Sequence, residues 1–238
     1  NTLKFNLLRE LKRPGLDFAL MTGHGTDDLQ LLNGYPETSS PQLSMVNVSR
    51  YLRGKVRDAK DAGRDMKVVK DNFKNSLGVS DKWMDDAFEQ TRIEEDSIYN
   101  VEMDINMGDV KDAGIQAKFV YLNSCLTGSY QLPEYIAGYY PFSNNETIVA
   151  LANSVGVLQD LWPTELMGTL QHGVSAGNWV KHIAYLETHL FGDPTFTFAT
   201  DKANNVNEHI SLASKDKGYW EQLLREGDAD LQALALVY

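Results

Sequence analysis

The chain has 238 residues, 42% hydrophobic and 23% charged, the composition of a globular protein able to bury a sizeable core. Its 22 Lys and Arg stand against 33 Asp and Glu, and a net charge of −11 argues against binding nucleic acid through a general phosphate field. The uncharged stretches 119–133 and 147–159 are not continuous apolar runs near 20 residues, so no membrane span is expected, and the single Cys125 excludes an intrachain disulfide.

Both ends read as cut. The chain opens at Asn1-Thr2 and is at once apolar with helical spacing at Leu7, Leu8 and Leu11, before Pro14-Gly15. It closes on DADLQALALVY, an amphipathic pattern without a polar cap. This predicts a fragment, or a processed chain, of a longer protein, in which start-of-chain targeting signals would not be visible.

Leu16 to Met21 (LDFALM) predicts a buried strand that feeds the loop TGHG. Gly34 to Pro41 reads as a linker. From Ser44 the spacing of Val48, Leu52, Val56, Ala59, Met66, Val69, Phe73 and Leu77 predicts a helix ended by Gly78. Ser80 is read as the N-cap of a second helix through Trp83, Met84, Ala87 and Phe88. Residues 50–74 carry a net charge of +5 and residues 81–112 a net of −8, which predicts solvated helix faces that attract each other when packed; an acidic lip for basic substrates is the sharper alternative. The alternation at Val101, Met103, Ile105 and Met107 predicts a short half-buried strand.

Ala117 to Asn123 (AKFVYLN) and Thr147 to Asn153 (TIVALAN) predict two further buried strands, and helical patterns lie between them and around Leu166 to His182. HLFGDPTFTF (189–198) predicts a turn at Gly192-Asp193-Pro194 and a final strand. Strands alternating with helices imply an α/β layer fold with a parallel sheet. Beyond Thr200, two short amphipathic helices flank Gly227-Asp228.

His24-Gly25 follows one predicted strand and Ser124-Cys125 follows another. In an open parallel sheet the site lies outside the carboxyl ends of the strands. A cysteine and a histidine meeting there can act as nucleophile and base. A free thiol with a pKa of about 8.5 is only a few per cent thiolate at neutral pH, and a nearby imidazolium raises that fraction. The N–H groups of Gly25 and Cys125 would form the oxyanion hole. His172-Gly173 reads as a helix end, His182 and His189 have no metal-ligand spacing, and Trp162 and Trp179 read as core. No G-x-G-x-x-G or P-loop is present, so neither a cofactor nor a metal is expected.

The strings MTGHG (Met21 to Gly25), FVYLNSCLTG (Phe119 to Gly128) and HLFGDPTF resemble the gingipain-type cysteine peptidases of the caspase-like group. The resemblance covers residues 1–32 and about 115–200. It implies a caspase-like three-layer α/β fold with a mainly parallel sheet, incomplete at its N-terminal end, because the two strands expected before the histidine strand would lie upstream of Asn1. On this reading 1–33 and 113–200 are the two parts of the peptidase domain, 34–112 is a mostly helical insertion, and 201–238 is a helical tail. The resemblance implies a cysteine endopeptidase with Cys125 as nucleophile and His24 as general base and acid, acting on a peptide or protein substrate. It also implies an upstream fragment completing the sheet, and a bacterial, secreted, periplasmic or cell-surface setting. An inactive scaffold or protein-binding module is the alternative. His24 and Cys125 are much further apart in sequence than is usual in the family, and the insertion between them is open to reading as a lid, a blocker or a partner surface. YWEQLLREGDADLQALAL (Tyr219 to Leu236) resembles one unit of a HEAT-type helical repeat, and a simple docked helical hairpin fits it equally.

Overall fold

The structure is a computed structural model that describes residues 2–32, 39–158, 163–183, 186–202 and 204–238. The expected Gly34–Pro41 linker falls largely outside the described residues, as does Trp162. The chain forms two compact units, one of residues 1–6 and 32–105, the other of residues 7–31 and 106–238. The smaller unit thus takes in most of the 34–112 stretch that the family resemblance reads as an insertion.

The larger unit is built on a four-stranded sheet. Its strands are β1 (Phe18–Thr22), β5 (Phe119–Asn123), β6 (Val149–Asn153) and β7 (Thr188–Gly192), in the order β1-β5-β6-β7. β1, β5 and β6 run parallel and β7 is antiparallel to β6. This is an α/β fold with a mainly parallel sheet. The short strands β2 (His24–Gly25) and β3 (Leu29–Leu31) form a hairpin just past β1, and β4 (Ile105–Asn106) lies where the chain passes back from the smaller unit.

Every residue of β5 and β6 is buried, which explains their uninterrupted apolar runs. One face carries Phe119, Tyr121, Val149 and Leu151 into a cluster with Leu170, Trp179, Val206, Trp220 and Leu234. Trp179 is fully buried, makes edge contacts with Phe18, Phe119 and Tyr121, and donates its indole N–H to the Glu165 carbonyl at 2.8 Å. The other face carries Val120, Leu122, Ala150 and Ala152, equally buried, and the 3₁₀ turn Ile136–Tyr139 packs on β6.

The final strand of the sheet, β7, runs into the Gly192-Asp193-Pro194 turn. The Asp193 carboxylate takes the Thr195 N–H and hydroxyl, and this turn ends the pairing. Beyond it lie α7 (Val206–Leu212), α8 (Lys217–Glu226) and α9 (Ala229–Ala235), one helix more than the sequence suggests. Trp220 of α8 and Leu231, Leu234 and Ala235 of α9 join the sheet's own core cluster, so the hairpin is docked on the larger unit.

The smaller unit contains α2 (Pro41–Asp61), α3 (Met66–Leu77) and α4 (Gln90–Met103); the remaining helices are α1 (Thr2–Leu11), α5 (Met107–Val110) and α6 (Ala176–Val180). The single helix expected from Ser44 to Leu77 is two, because Gly63 turns left-handed and Asp65 starts a new helix by accepting the Lys67 N–H. Ser80 does cap a helix start, but only the 3₁₀ turn Asp81–Trp83 follows. The strand expected over 101–107 is the end of α4 for its first half, with only Ile105 and Asn106 extended.

Opposite charge joins these helices. Asp96 of α4 is 1% exposed and receives three arginines of α2. Arg53 donates from Nε and Nη2 at 2.8 and 2.6 Å, Arg57 from Nη2 at 2.7 Å, and Arg50 lies 3.8 Å away. Lys70 and Lys74 reach Asp85 and Asp81 at the surface. Burial works to raise the Asp96 pKa, but the hydrogen bonds from Arg53 and Arg57 outweigh it and hold the carboxyl below its ordinary value. A group depressed in this way stabilises the fold above its unfolded pKa of about 3.9, and the contribution fades as pH falls through the folded value. Replacing Asp96 with Asn should cost about 3–5 kcal/mol at neutral pH, because it leaves buried guanidinium groups unneutralised. Amide hydrogen exchange over residues 41–103 checks this: faster exchange in the variant at pH 7, converging with the wild type well below pH ~4, is expected.

Candidate active site

The β1–β5 register decides which side chains emerge together. Thr22 pairs with Asn123, 101 positions on, and His24 and Cys125 differ by the same 101. The Gly23 N–H donates to the Asn123 carbonyl at 3.2 Å, which carries the pairing past the last strand residues. Two neighbouring chains therefore leave the sheet side by side, one bearing His24-Gly25 and the other Ser124-Cys125.

Gly25 presses directly on the cysteine loop. A β-carbon there would lie 2.5 Å from Thr127 Cγ2, 2.9 Å from the Cys125 carbonyl oxygen and 3.1 Å from Ser124 Oγ. Only a residue without a side chain permits that approach. The 3₁₀ turn clamps the same two loops, since the Ile136 N–H donates to the Asp27 carbonyl at 2.7 Å and the Ala137 N–H to the Thr127 carbonyl at 3.0 Å.

Buried polar groups hold the cysteine loop from its other side. Asn153, at the end of β6, donates from Nδ2 to the Ser124 carbonyl at 3.0 Å and accepts from Thr188 Oγ1 at 2.7 Å. The Leu126 N–H donates to the Val155 carbonyl and the Gly128 N–H to the Asn153 carbonyl. Leu126 sits at φ +60°, a left-handed conformation that costs a non-glycine residue about 1–2 kcal/mol. These bonds on both sides hold it there.

Cys125 is half-buried. Its sulfur accepts the Val157 N–H at 3.3 Å and donates to the Val157 carbonyl at 3.4 Å. His24 is exposed on its hairpin, opposite Leu31. The Thr26 N–H closes the hairpin on the Leu29 carbonyl, and alternation of the ladder then turns the Gly25 N–H away from β3. Among the described residues, no acceptor takes the Cys125 N–H.

The structure also brings together a pair that the sequence does not reveal. His189 Nε2 lies 2.8 Å from Ser154 Oγ. Ser154 follows β6, and His189 stands near the start of β7, whose antiparallel direction returns it to the same sheet edge. The parallel strands alone give no hint of this.

Trp179 is core, as expected. Gly173 ends the 3₁₀ helix Met167–His172 in a left-handed cap, and His172 is buried beneath it. Ligand atoms of His172, Asp228 and Asp230 lie within 4.8 Å of one another. Asp228 Oδ2 lies 3.0 Å from His172 Nε2, and Lys202 Nζ, 3.4 Å away, is a protein cation that meets its charge. A cavity of about 760 Å³ lies at the amino end of β1, lined by Phe18, Met167, Leu170, Phe198 and Lys202. Cys125 is at the opposite end of the sheet, so this cavity is not the place where its chemistry would occur.

Comparison of the chain with protein-family models, with curated proteins and with solved structures finds no match in any of the three. No helix among the described residues is long and apolar enough to cross a membrane.

The contact at Gly25 gives a direct test of how the two loops are joined. Replacing Gly25 with Ala should destabilise the protein by about 1–3 kcal/mol in denaturant melts, because loop backbone must move. Gly156 has open space around it, and Gly156→Ala should change stability by less than about 0.5 kcal/mol.

Proposed function

We propose that the chain carries the later part of a caspase-like, gingipain-type peptidase domain and hydrolyses peptide bonds with Cys125 as nucleophile and His24 as base. The observation that carries this reading is the shared register. Two residues of the types that thiol hydrolysis needs leave adjacent parallel strands at equivalent positions, with a glycine beside one of them pressed on the other's loop.

In this mechanism His24 takes the thiol proton and the sulfur attacks the scissile carbonyl carbon. The developing oxyanion is met by the N–H groups of Gly25 and Cys125, the two that the local geometry leaves uncommitted to the hairpin and the loop. The tetrahedral intermediate collapses as His24 returns the proton to the leaving amine. Water then attacks the thioester, with His24 again as base, and frees the acid. No cofactor or metal has a step in this chemistry. The outer edge of β1, one of the two edge strands of the sheet among the described residues, would receive an upstream fragment. The setting that goes with this reading is the secreted, periplasmic or surface fraction of a bacterium.

One observation favours a second reading, an inactive scaffold of the same fold. The sulfur's hydrogen bonds run to the Val157 backbone, so the thiol is held by the protein itself at rest. Activity separates the two. On the peptidase reading, Cys125→Ala loses both turnover of fluorogenic peptides and labelling by a peptidyl acyloxymethyl ketone. His24→Ala should lower kcat/KM by a factor of about 100 or more. Turnover that survives in the Cys125 variant would remove the cysteine from the mechanism.

A further inference from the structure

We propose that Ser154 and His189 form a second acyl-transfer pair, separate from Cys125, that hydrolyses activated esters. The pair has the geometry of an activated nucleophile, with Ser154 Oγ 2.8 Å from His189 Nε2. Both side chains are half-buried at the carboxyl edge of the sheet, and the residues after the serine, Val155 and Gly156, are exposed.

Two features hold the imidazole in place. The Ser154 N–H donates to the Glu187 carbonyl at 3.0 Å, tying the end of β6 to the start of β7. The Tyr130 ring stands edge-on to His189, with centroids 4.7 Å apart, and the tyrosine is itself 56% exposed. With its proton on Nδ1, His189 accepts from the serine hydroxyl at 2.8 Å, nearer than the Glu187 carbonyl oxygen at 3.5 Å. Burial lowers the His189 pKa more than the nearby Glu187 charge raises it, so the ring is neutral at neutral pH and able to act as a base. The N–H groups of Val155 and Gly156 have no acceptor among the described residues. They follow the nucleophile directly, where an oxyanion would need donors.

The chemistry balances without a cofactor. Ser154 Oγ attacks the ester carbonyl carbon as its proton passes to His189 Nε2. The carbon–alkoxide bond breaks as His189 returns that proton to the leaving alcohol. Water, deprotonated by His189, then attacks the acyl-serine. The acid departs and the serine regains its proton. Esters are the substrate class because an alkoxide leaves more readily than an amine, and Glu187 is exposed rather than buried against the imidazole as a triad carboxylate would be.

The test is made on the Cys125→Ala protein, so the outcome does not depend on the cysteine reading. An alkyl fluorophosphonate should add once, with loss of fluoride, and peptide mass mapping should locate the adduct on Ser154. Ser154→Ala should abolish the adduct. His189→Gln, which keeps a hydrogen-bonding side chain, should slow its formation about 100-fold or more. Melting curves would show both variants folded, since neither side chain is fully buried. Absence of the adduct, its persistence in Ser154→Ala, or an unchanged rate in His189→Gln would each overturn the proposal.

Discussion

Five backbone pairs between Phe18–Thr22 and Phe119–Asn123 set the geometry of the larger unit, and the site depends on them. In a parallel pair a slip of one residue turns every side chain to the opposite face. A slipped β1 would expose Leu20 where the core needs it, and it would also separate His24 from the level of Cys125. Burial of β5 on both faces fixes the register, and the register sets where the chains bearing His24 and Cys125 leave the sheet. Gly25 adds a second lock, because its contact with the Cys125 carbonyl is available only in this register.

The two units are stabilised by different physics. In the larger, aromatic and aliphatic side chains cover the sheet, and the tail helices supply Trp220 and Leu234 to the same cluster. In the smaller, a buried carboxylate gathers three arginines, and the apolar cluster of Leu52, Val56, Met84 and Ala87 is modest. A buried ion pair is costly to desolvate, and its strength depends on complete hydrogen bonding. The charge segregation along the sequence is thus the signature of a packing device inside one unit.

Much of the larger unit was legible in the sequence because apolar runs of four or five residues in a parallel sheet have few alternatives. FVYLN and VALAN appear as strands, and the carboxyl-edge rule then draws the eye to Cys125. Elsewhere the reading failed for local reasons. The apolar periodicity from Val48 to Leu77 is continuous, so the break at Gly63 depends on a turn that periodicity does not register. The alternation at 101–107 imitates a strand, but α4 gains more by continuing to Met103, which it buries. Ser154 and His189 were out of reach because their meeting depends on the antiparallel direction of β7, and no single segment encodes that.

The central claim is that the register makes His24 the chemical partner of Cys125. It is tested most directly by the rate at which iodoacetamide alkylates Cys125 at pH 7, compared between the wild type and His24→Asn. The chain has one cysteine, so intact mass reports that residue alone. A histidine that draws the thiol proton raises the reactive thiolate fraction, and its loss should slow alkylation about tenfold or more. Equal rates in the two proteins would contradict the account.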